Sequence, residues 1–420
     1  MTDDTPDARL GRWSGRPAHR AWLAARADEL FDLFGTRTIN RRGGFRELDR
    51  TGALRTEANP AWPVHLTART VHCFAIGTLL GRPGAPEMVD HGMEFLWRRY
   101  RDPEHGGYFW SVDDAGPADA MKQGYGQAFV LLAASSALTV GHPLAGPMLA
   151  DVSEVIDRRF WEERHGAIAE EFAADWTPVP GYRGQNSNMH LTEALMAAFE
   201  ATGERLYLER AERIADLVIR RSAGAMDWRV PEHFGEDWTV DPGYAGNEMF
   251  RPSGTTPGHW LEWSRLLLQL WVLGQRQLAW LPGAARGLFA QAMALGWDEV
   301  HGGFFYTLDW ENRPLRRTKL WWPLCEGVGA AHFLGELAAE PGDEAAYRRI
   351  WGAIARGFLD SEHGGWQEEC AEDLSPSFEI FPGKGDIYHA LQACLIPLYP
   401  AEGSLTRVIA RASHVAIPDK

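Results

Sequence analysis

Two kinds of apolar pattern alternate along the chain. In residues 21–34, 86–100, 148–161, 207–221, 285–297 and 345–359, apolar side chains recur three and four apart while the opposite face is charged. In residues 65–80, 125–138, 189–199, 259–273, 324–337 and 386–398, they run nearly all the way round. A one-sided stripe belongs to a helix packed on one side and wet on the other, and all-round apolarity to a helix surrounded by others. Strict alternation of the two predicts six outer–inner helical hairpins.

A short motif separates the outer from the inner member each time. It reads GGFREL from Gly43, HGGYFW from His105, HGAIAEEF from His165, EHFGEDW around His233, HGGFFYTL from His301 and HGGWQEE from His363, at intervals of roughly 60 to 68 residues. Glycine permits positive φ, and the alternating residues after it suit a short strand, so each copy predicts a small β-hairpin. A period of this length marks a repeat architecture. The expected fold is all-α, an (α/α)6 barrel of six outer and six inner helices with short β-hairpins in the connecting loops. One domain is expected over residues 1–420, with an N-terminal arm to about residue 18 and a short helix and tail from about residue 404.

Composition narrows the partners. The 420 residues carry a net charge of −15. That argues against nucleic acid and anionic membrane, which reward clustered Lys and Arg. The stretch from Gly124 to Ala150 has no charged residue, but its Gln127, Ser135, Ser136, Pro143 and Pro147 fit a buried helix better than a membrane span. Four scattered cysteines without a CxxC pair, behind an N-terminus lacking an apolar leader, predict reduced thiols and a cytoplasmic setting. Nineteen tryptophans suit a sugar site, since indole faces pack on pyranose C–H surfaces, although most are expected to fill the core.

The chemistry falls at the starts of the inner segments, which in a closed ring aim at one axis. Arg69 and His72, then Lys122, Tyr125 and Gln127, Asn188 and His190, His259, Glu326, and Asp386 with His389 occupy these places. Helix N-termini there also offer free N–H groups to sugar oxygens. His190 with Glu193, His259 with Glu262, and Asp386 with His389 stand three apart, one helical face each, so each imidazole is expected to lie beside that carboxylate. A carboxylate fixes the tautomer and favours the charged ring, as an acid/base histidine requires. The turn histidines His105, His165, His233, His301 and His363 are read as structural. A zinc site built from His190, His259, His389 and Glu262 or Glu326 lacks any short-spaced ligand pair, and no phosphate-cradling Gly motif or GxSxG elbow occurs, so no metal and no cofactor are expected.

GQNSNMHLTEALMAAFEATG from Gly184, PGHWLEWSRLLL from Pro257, HGGFFYTLDW from His301 and GKGDIYHALQACLIPL from Gly383, with TARTVH and KQGYGQAF, resemble the N-acylglucosamine 2-epimerase superfamily, in its bacterial aldose–ketose isomerase branch typified by mannose isomerase. The resemblance spans nearly the whole chain. It implies an (α/α)6 barrel, cofactor-free proton transfer, acid/base histidines at His259 and His389, and a substrate-binding arginine at Arg69. It also implies a binding histidine at His190, with Asn186 and Asn188 in the same motif, and supporting carboxylates at Glu262 and Glu326.

The expected activity is aldose–ketose isomerisation of a small neutral monosaccharide, D-mannose to D-fructose first and D-lyxose to D-xylulose second, through a cis-enediol(ate). His389, tuned by Asp386, is expected to take the C2 proton, and His190 or His259 to open the ring. Trp322, Trp62 and Trp366 are stacking candidates, and Tyr125 a binding one. The alternatives are a sugar 2-epimerase or sulfoquinovose isomerase of the same superfamily, a glycoside hydrolase with Asp227 and Glu368 as its carboxylates, and a sugar-binding barrel without catalysis. The oligomeric state stays open.

Overall fold

The structure is a computed structural model that describes residues 11–56, 61–247 and 249–413. Much of the expected N-terminal arm and the end of the C-terminal tail lie outside the described residues. Outer helices α1 (Pro17–Leu33), α3 (Ala85–Phe95), α5 (Ala145–Val155), α7 (Arg205–Ala215), α9 (Trp280–Gln291) and α11 (Asp343–Ala353) alternate with inner helices. The inner helices are α2 (Val64–Leu79), α4 (Gly124–Thr139), α6 (Gln185–Thr202), α8 (Pro257–Leu273), α10 (Trp321–Leu337) and α12 (Tyr388–Leu395). Each inner helix touches the next, α12 returns to α2, and each outer helix packs on the inner helix before it, with α1 against α12. This is the (α/α)6 barrel. The apolarity of the inner segments is accounted for by burial: in α4 every residue from Gly124 to Ala137 is buried.

A second, smaller ring is made of strand pairs. Residues 62–63 pair with 111–112, 122–123 with 171–172, 183–184 with 233–234, and 319–320 with 369–370, all antiparallel. A single bridge joins Thr255 to Leu308. Residues 383–384 pair back to 48–49, which stitches the last repeat to the first. Each pair links the lead-in to one inner helix with the hairpin of a neighbouring repeat, so the inner helices start in register.

Three hairpins share one polar support. Asp102, Asp298 and Asp360 each accept, through Oδ1, the N–H groups two and three residues ahead, at 2.9 to 3.3 Å. Their Oδ2 atoms take the ammonium of Lys122 at 2.6 Å, Lys319 at 2.7 Å and Lys384 at 2.7 Å. These buried lysines also donate to the carbonyls of Gly106, Gly302 and Gly364. Gly106 and Gly107, Gly302 and Gly303, and Gly364 and Gly365 all have φ between 72° and 84°, a region costly for any residue with a Cβ. The motif is therefore structural, and His105, His301 and His363 lie beside these aspartates at 3.3 to 3.5 Å. His233 departs from the expected equivalence. It sits within the paired strand 233–234, is buried, and bonds Tyr182 and the carbonyl of Pro252.

The far end of the barrel is closed by α13 (Leu405–Ala412), which packs on α2 and α4. Glu200, in the last turn of α6, accepts the N–H of Ser404 on both carboxylate oxygens, and Arg407 donates to its carbonyl at 2.7 Å. Burial pushes the Glu200 carboxyl up to about 7 against the bonds from Ser404. Among the described residues no helix is long and apolar enough to cross a membrane, and the four cysteines are free and buried.

Candidate active site

Because the inner helices start together, equal positions in them face equal directions. Counting from the residue after each lead-in, taken as residues 255–256 in the fourth repeat, the second position carries His65, Tyr125, Asn186, Gly258, Trp322 and Asp386. The sixth carries Arg69, Phe129, His190, Glu262, Glu326 and Ala390. Residues four apart share a helix face. All of the second-position side chains except Gly258, together with Arg69, His190, Glu262, His259 and His389, line one cavity of about 340 Å³ at the N-terminal mouth of the inner ring. The residue just before each hairpin strand forms another ring: Glu47, Trp110, Glu170, Glu232, Tyr306 and Glu368. Of these, Glu47, Trp110, Tyr306 and Glu368 reach the same cavity.

Two histidines are held alike by carboxylates from other elements. His389 Nδ1 lies 2.9 Å from Glu326 Oε1, and His259 Nδ1 lies 2.8 Å from Glu232 Oε2. A carboxylate accepts only, so each Nδ1 carries the hydrogen and each Nε2 is left to act as base. Gln185 orients the second pair: its Oε1 takes the Trp263 indole N–H at 2.7 Å, which turns its amide N–H toward Glu232 at 2.7 Å. Burial would raise the Glu232 carboxyl, but His259 outweighs it and holds the group below the usual range. Glu326 is likewise held down, its burial outweighed by Arg265 and by the bond from His389. The Trp322 ring touches both imidazoles, 5.0 Å from His259 and 6.0 Å from His389 between centroids. A Cβ at Gly258 would collide with that indole, which explains the gap in the second-position ring.

Arg69 forms the positive pole. Its Nη1 donates to Asp386 Oδ2 at 2.5 Å and its Nη2 to the Tyr125 hydroxyl at 2.9 Å, while its guanidinium lies 4.4 Å from the Phe129 ring centre. Beside it His190 is kept well below the ordinary imidazole range by burial and then by Arg69, so it is neutral near pH 7. Its closest carboxylate, Glu262, stands 3.6 Å away and is pushed well above the usual range by burial and by Glu326. Glu368, fastened by the N–H groups of Gly385 and Asp386, is also pushed up, by burial and then by Asp386. Buried polar atoms on His65, Arg69, Asn186, His190 and Glu262 have no hydrogen-bond partner within the protein.

Several expectations need correction. The three-apart histidine–carboxylate pairs are not the working ones: Asp386 binds Arg69, and Glu193 binds Arg265 and the Tyr388 hydroxyl, while the partners of His389 and His259 come from 63 and 27 residues away. Asn188 does not face the cavity. It ties its own helix to the hairpin, accepting from Ile168 N and donating to Gly184 O, each at 2.9 Å. Two residues along a helix turn a side chain by about 200°, so Asn186 and Asn188 cannot both face the axis. Glu326 is buried behind His389 and lines no part of the cavity. Trp62 packs edge-on against Phe95, and Trp366 against Trp351, both away from it. Asp227 is exposed in a turn and does not share the cavity with Glu368, which undoes the hydrolase pair. The ligand atoms of His190, Glu193 and Glu262 fall within 4.8 Å of one another, yet Glu193 already meets the Arg265 guanidinium. Glu232, Trp110, Tyr306 and His65 are not among the residues the sequence pattern singles out, and Glu368 is singled out only as half of a hydrolase pair; the one signal for Glu232, Glu368, Trp110 and Tyr306 is their place just before the strand of each repeat.

The barrel holds an axial pocket lined by imidazoles, the arginines Arg55 and Arg69, and buried carboxyls, and its class is that of the sugar-isomerising (α/α)6 enzymes. The chain belongs to the N-acylglucosamine 2-epimerase family, whose model matches residues 43–393. It is 42% identical to the D-mannose isomerase of Pseudomonas cannabina pv. alisalensis over 97% of this chain and 99% of that one. It is also 42% identical to the D-mannose isomerase of Thermobifida fusca, over 95% and 98%. The crystal structure of a D-mannose isomerase superposes with a TM-score of 0.84 at 29% identity, covering 91% of this chain and 99% of that chain. The chain is an aldose–ketose isomerase.

Proposed function

We propose that the enzyme interconverts D-mannose and D-fructose, with D-lyxose and D-xylulose as a second pair, by proton transfer between imidazole and substrate carbon. The observation that carries this is the pair of histidines, each backed by a buried carboxylate and both set against one indole over the same cavity. His259 Nε2 moves a proton between O5 and O1 to open the ring. His389 Nε2 then removes the C2 proton. The electron pair forms the C1–C2 double bond, and O1 takes the charge beside Arg69, where a preorganised donor counts most. Proton movement from O2 to O1 and return of a proton to C1 complete the ketose. Glu326 stabilises the imidazolium that His389 becomes, and Tyr125, Asn186 and His190 hold hydroxyl groups. The buried carboxyls Glu262 and Glu368 are pushed well above the usual range, by burial first and then by a neighbouring carboxylate, which favours the protonated form that can donate to a neutral sugar as well as accept from it.

The test is turnover of D-mannose by His389→Ala and His259→Ala. One acid/base group contributes about 10²–10⁴-fold. Both variants are expected to lose at least that range while keeping the helical spectrum of the wild type. Near-wild-type turnover in either removes that residue from the mechanism.

A further inference from the structure

Beneath the catalytic pocket Arg265, on α8, is almost completely buried. Its Nε donates to Glu326 Oε2 at 2.9 Å, the oxygen that His389 does not use, and its Nη2 reaches Glu193 Oε1 at 3.3 Å. Glu193 in turn accepts the Tyr388 hydroxyl through its other oxygen. Three inner helices besides its own thus send groups to one guanidinium: Glu193 from α6, Glu326 from α10, and Tyr388 from α12 through Glu193. Glu262 on α8, His72 on α2 and His190 on α6 also feel its charge. We infer that Arg265 is a positioning residue for the isomerisation, which keeps Glu326 ionised and aimed so that His389 can receive the C2 proton.

The reasoning is electrostatic. Glu326 is buried away from bulk solvent, and Glu262 lies near enough that two negative charges oppose each other. A buried carboxylate without a cation takes up a proton instead. Neutral Glu326 would no longer stabilise the His389 imidazolium, although the imidazole itself would stay in place. Arg265 lines no part of the catalytic cavity, so it acts through Glu326 and leaves substrate binding alone. A lysine in its place keeps a charge but lacks the planar fork that spans two carboxylates.

This rests on the proposed role of His389, and the experiment separates the two. Turnover of D-mannose is measured for Arg265→Lys, Glu326→Gln and the double variant, with Arg265→Met as a harsher companion. Glu326→Gln is expected to lower kcat by roughly 10²-fold. Arg265→Lys is expected to lower kcat at least tenfold with KM within about twofold, and to cost nothing further in the Glu326→Gln background, because a residue that works through another has no effect once the other is gone. Losses that multiply, a raised KM in place of a lowered kcat, or wild-type turnover in Arg265→Lys would overturn the inference. Wild-type turnover in Glu326→Gln would overturn it as well, whereas wild-type turnover in His389→Ala would overturn the role given to His389.

Discussion

The imidazole of His389 and the carboxylate of Glu326 meet at 2.9 Å although 63 residues separate them, and Asp386, three residues from His389, serves Arg69 instead. His259 and Glu232 repeat the arrangement at 2.8 Å. Neither imidazole uses a carboxylate of its own helix: His389 takes one from the inner helix of the preceding repeat, and His259 takes one from the hairpin that leads into its own helix.

For Glu232→Gln we expect kcat to fall by roughly 10–100-fold with little change in KM, since the amide keeps a bond to His259 but not the charge that favours its protonated form. Steady-state kinetics with D-mannose measures both constants. An unchanged kcat would show that His259 needs no ionised partner.

Arg69→Lys removes the fork that engages Asp386 and Tyr125 together. Losing one preorganised donor to a developing oxyanion costs about 10²–10³-fold in kcat. A loss of about that size is expected here, and a change confined to KM would mean that Arg69 binds substrate and transition state equally.

Much of this was legible beforehand. The six alternating patterns yield the barrel, and Arg69, His190, His259, Glu262, Trp322, Tyr125, Asn186, Asp386 and His389 all line the cavity. The missed features share one cause. Spacing along a helix shows which residues share a face, not what the neighbouring helix presents to it, so the partners of His259 and His389 were assigned to their own helices. The place just before the hairpin strand is Glu at 47, 170, 232 and 368 but Trp110 and Tyr306 interrupt the repeat, so the shared position stands out only once the strands are known. Trp62 and Trp366 carry no period that separates a stacking tryptophan from a core one.

The clamp at the far end predicts a pH dependence of stability. Glu200 titrates near 7 in the folded chain, above its ordinary 4.5. A raised carboxyl pKa contributes stability that is fully present below about pH 4.5 and lost as pH rises through about 7. Relative to Glu200→Gln, the wild type should therefore lose Tm steadily between pH 5 and pH 8. A constant difference across that range would show that Glu200 is not a buried neutral acid.

The hairpin supports predict a loss of stability without a loss of chemistry. Lys319→Met leaves Asp298 without its cation in a buried site. Breaking such a pair costs about 3–5 kcal/mol, which should appear as a lower denaturant midpoint. Turnover per folded molecule should be unchanged, because Lys319 lies outside the axial cavity.

Proton exchange with the imidazole can be read by NMR of D-mannose turned over in D2O. Deuterium is expected at C1 of the D-fructose formed and, as the reaction reverses, at C2 of the remaining aldose. Ketose that keeps the original C2 hydrogen at C1, with no solvent deuterium at any stage of turnover, would contradict it and point to hydride transfer.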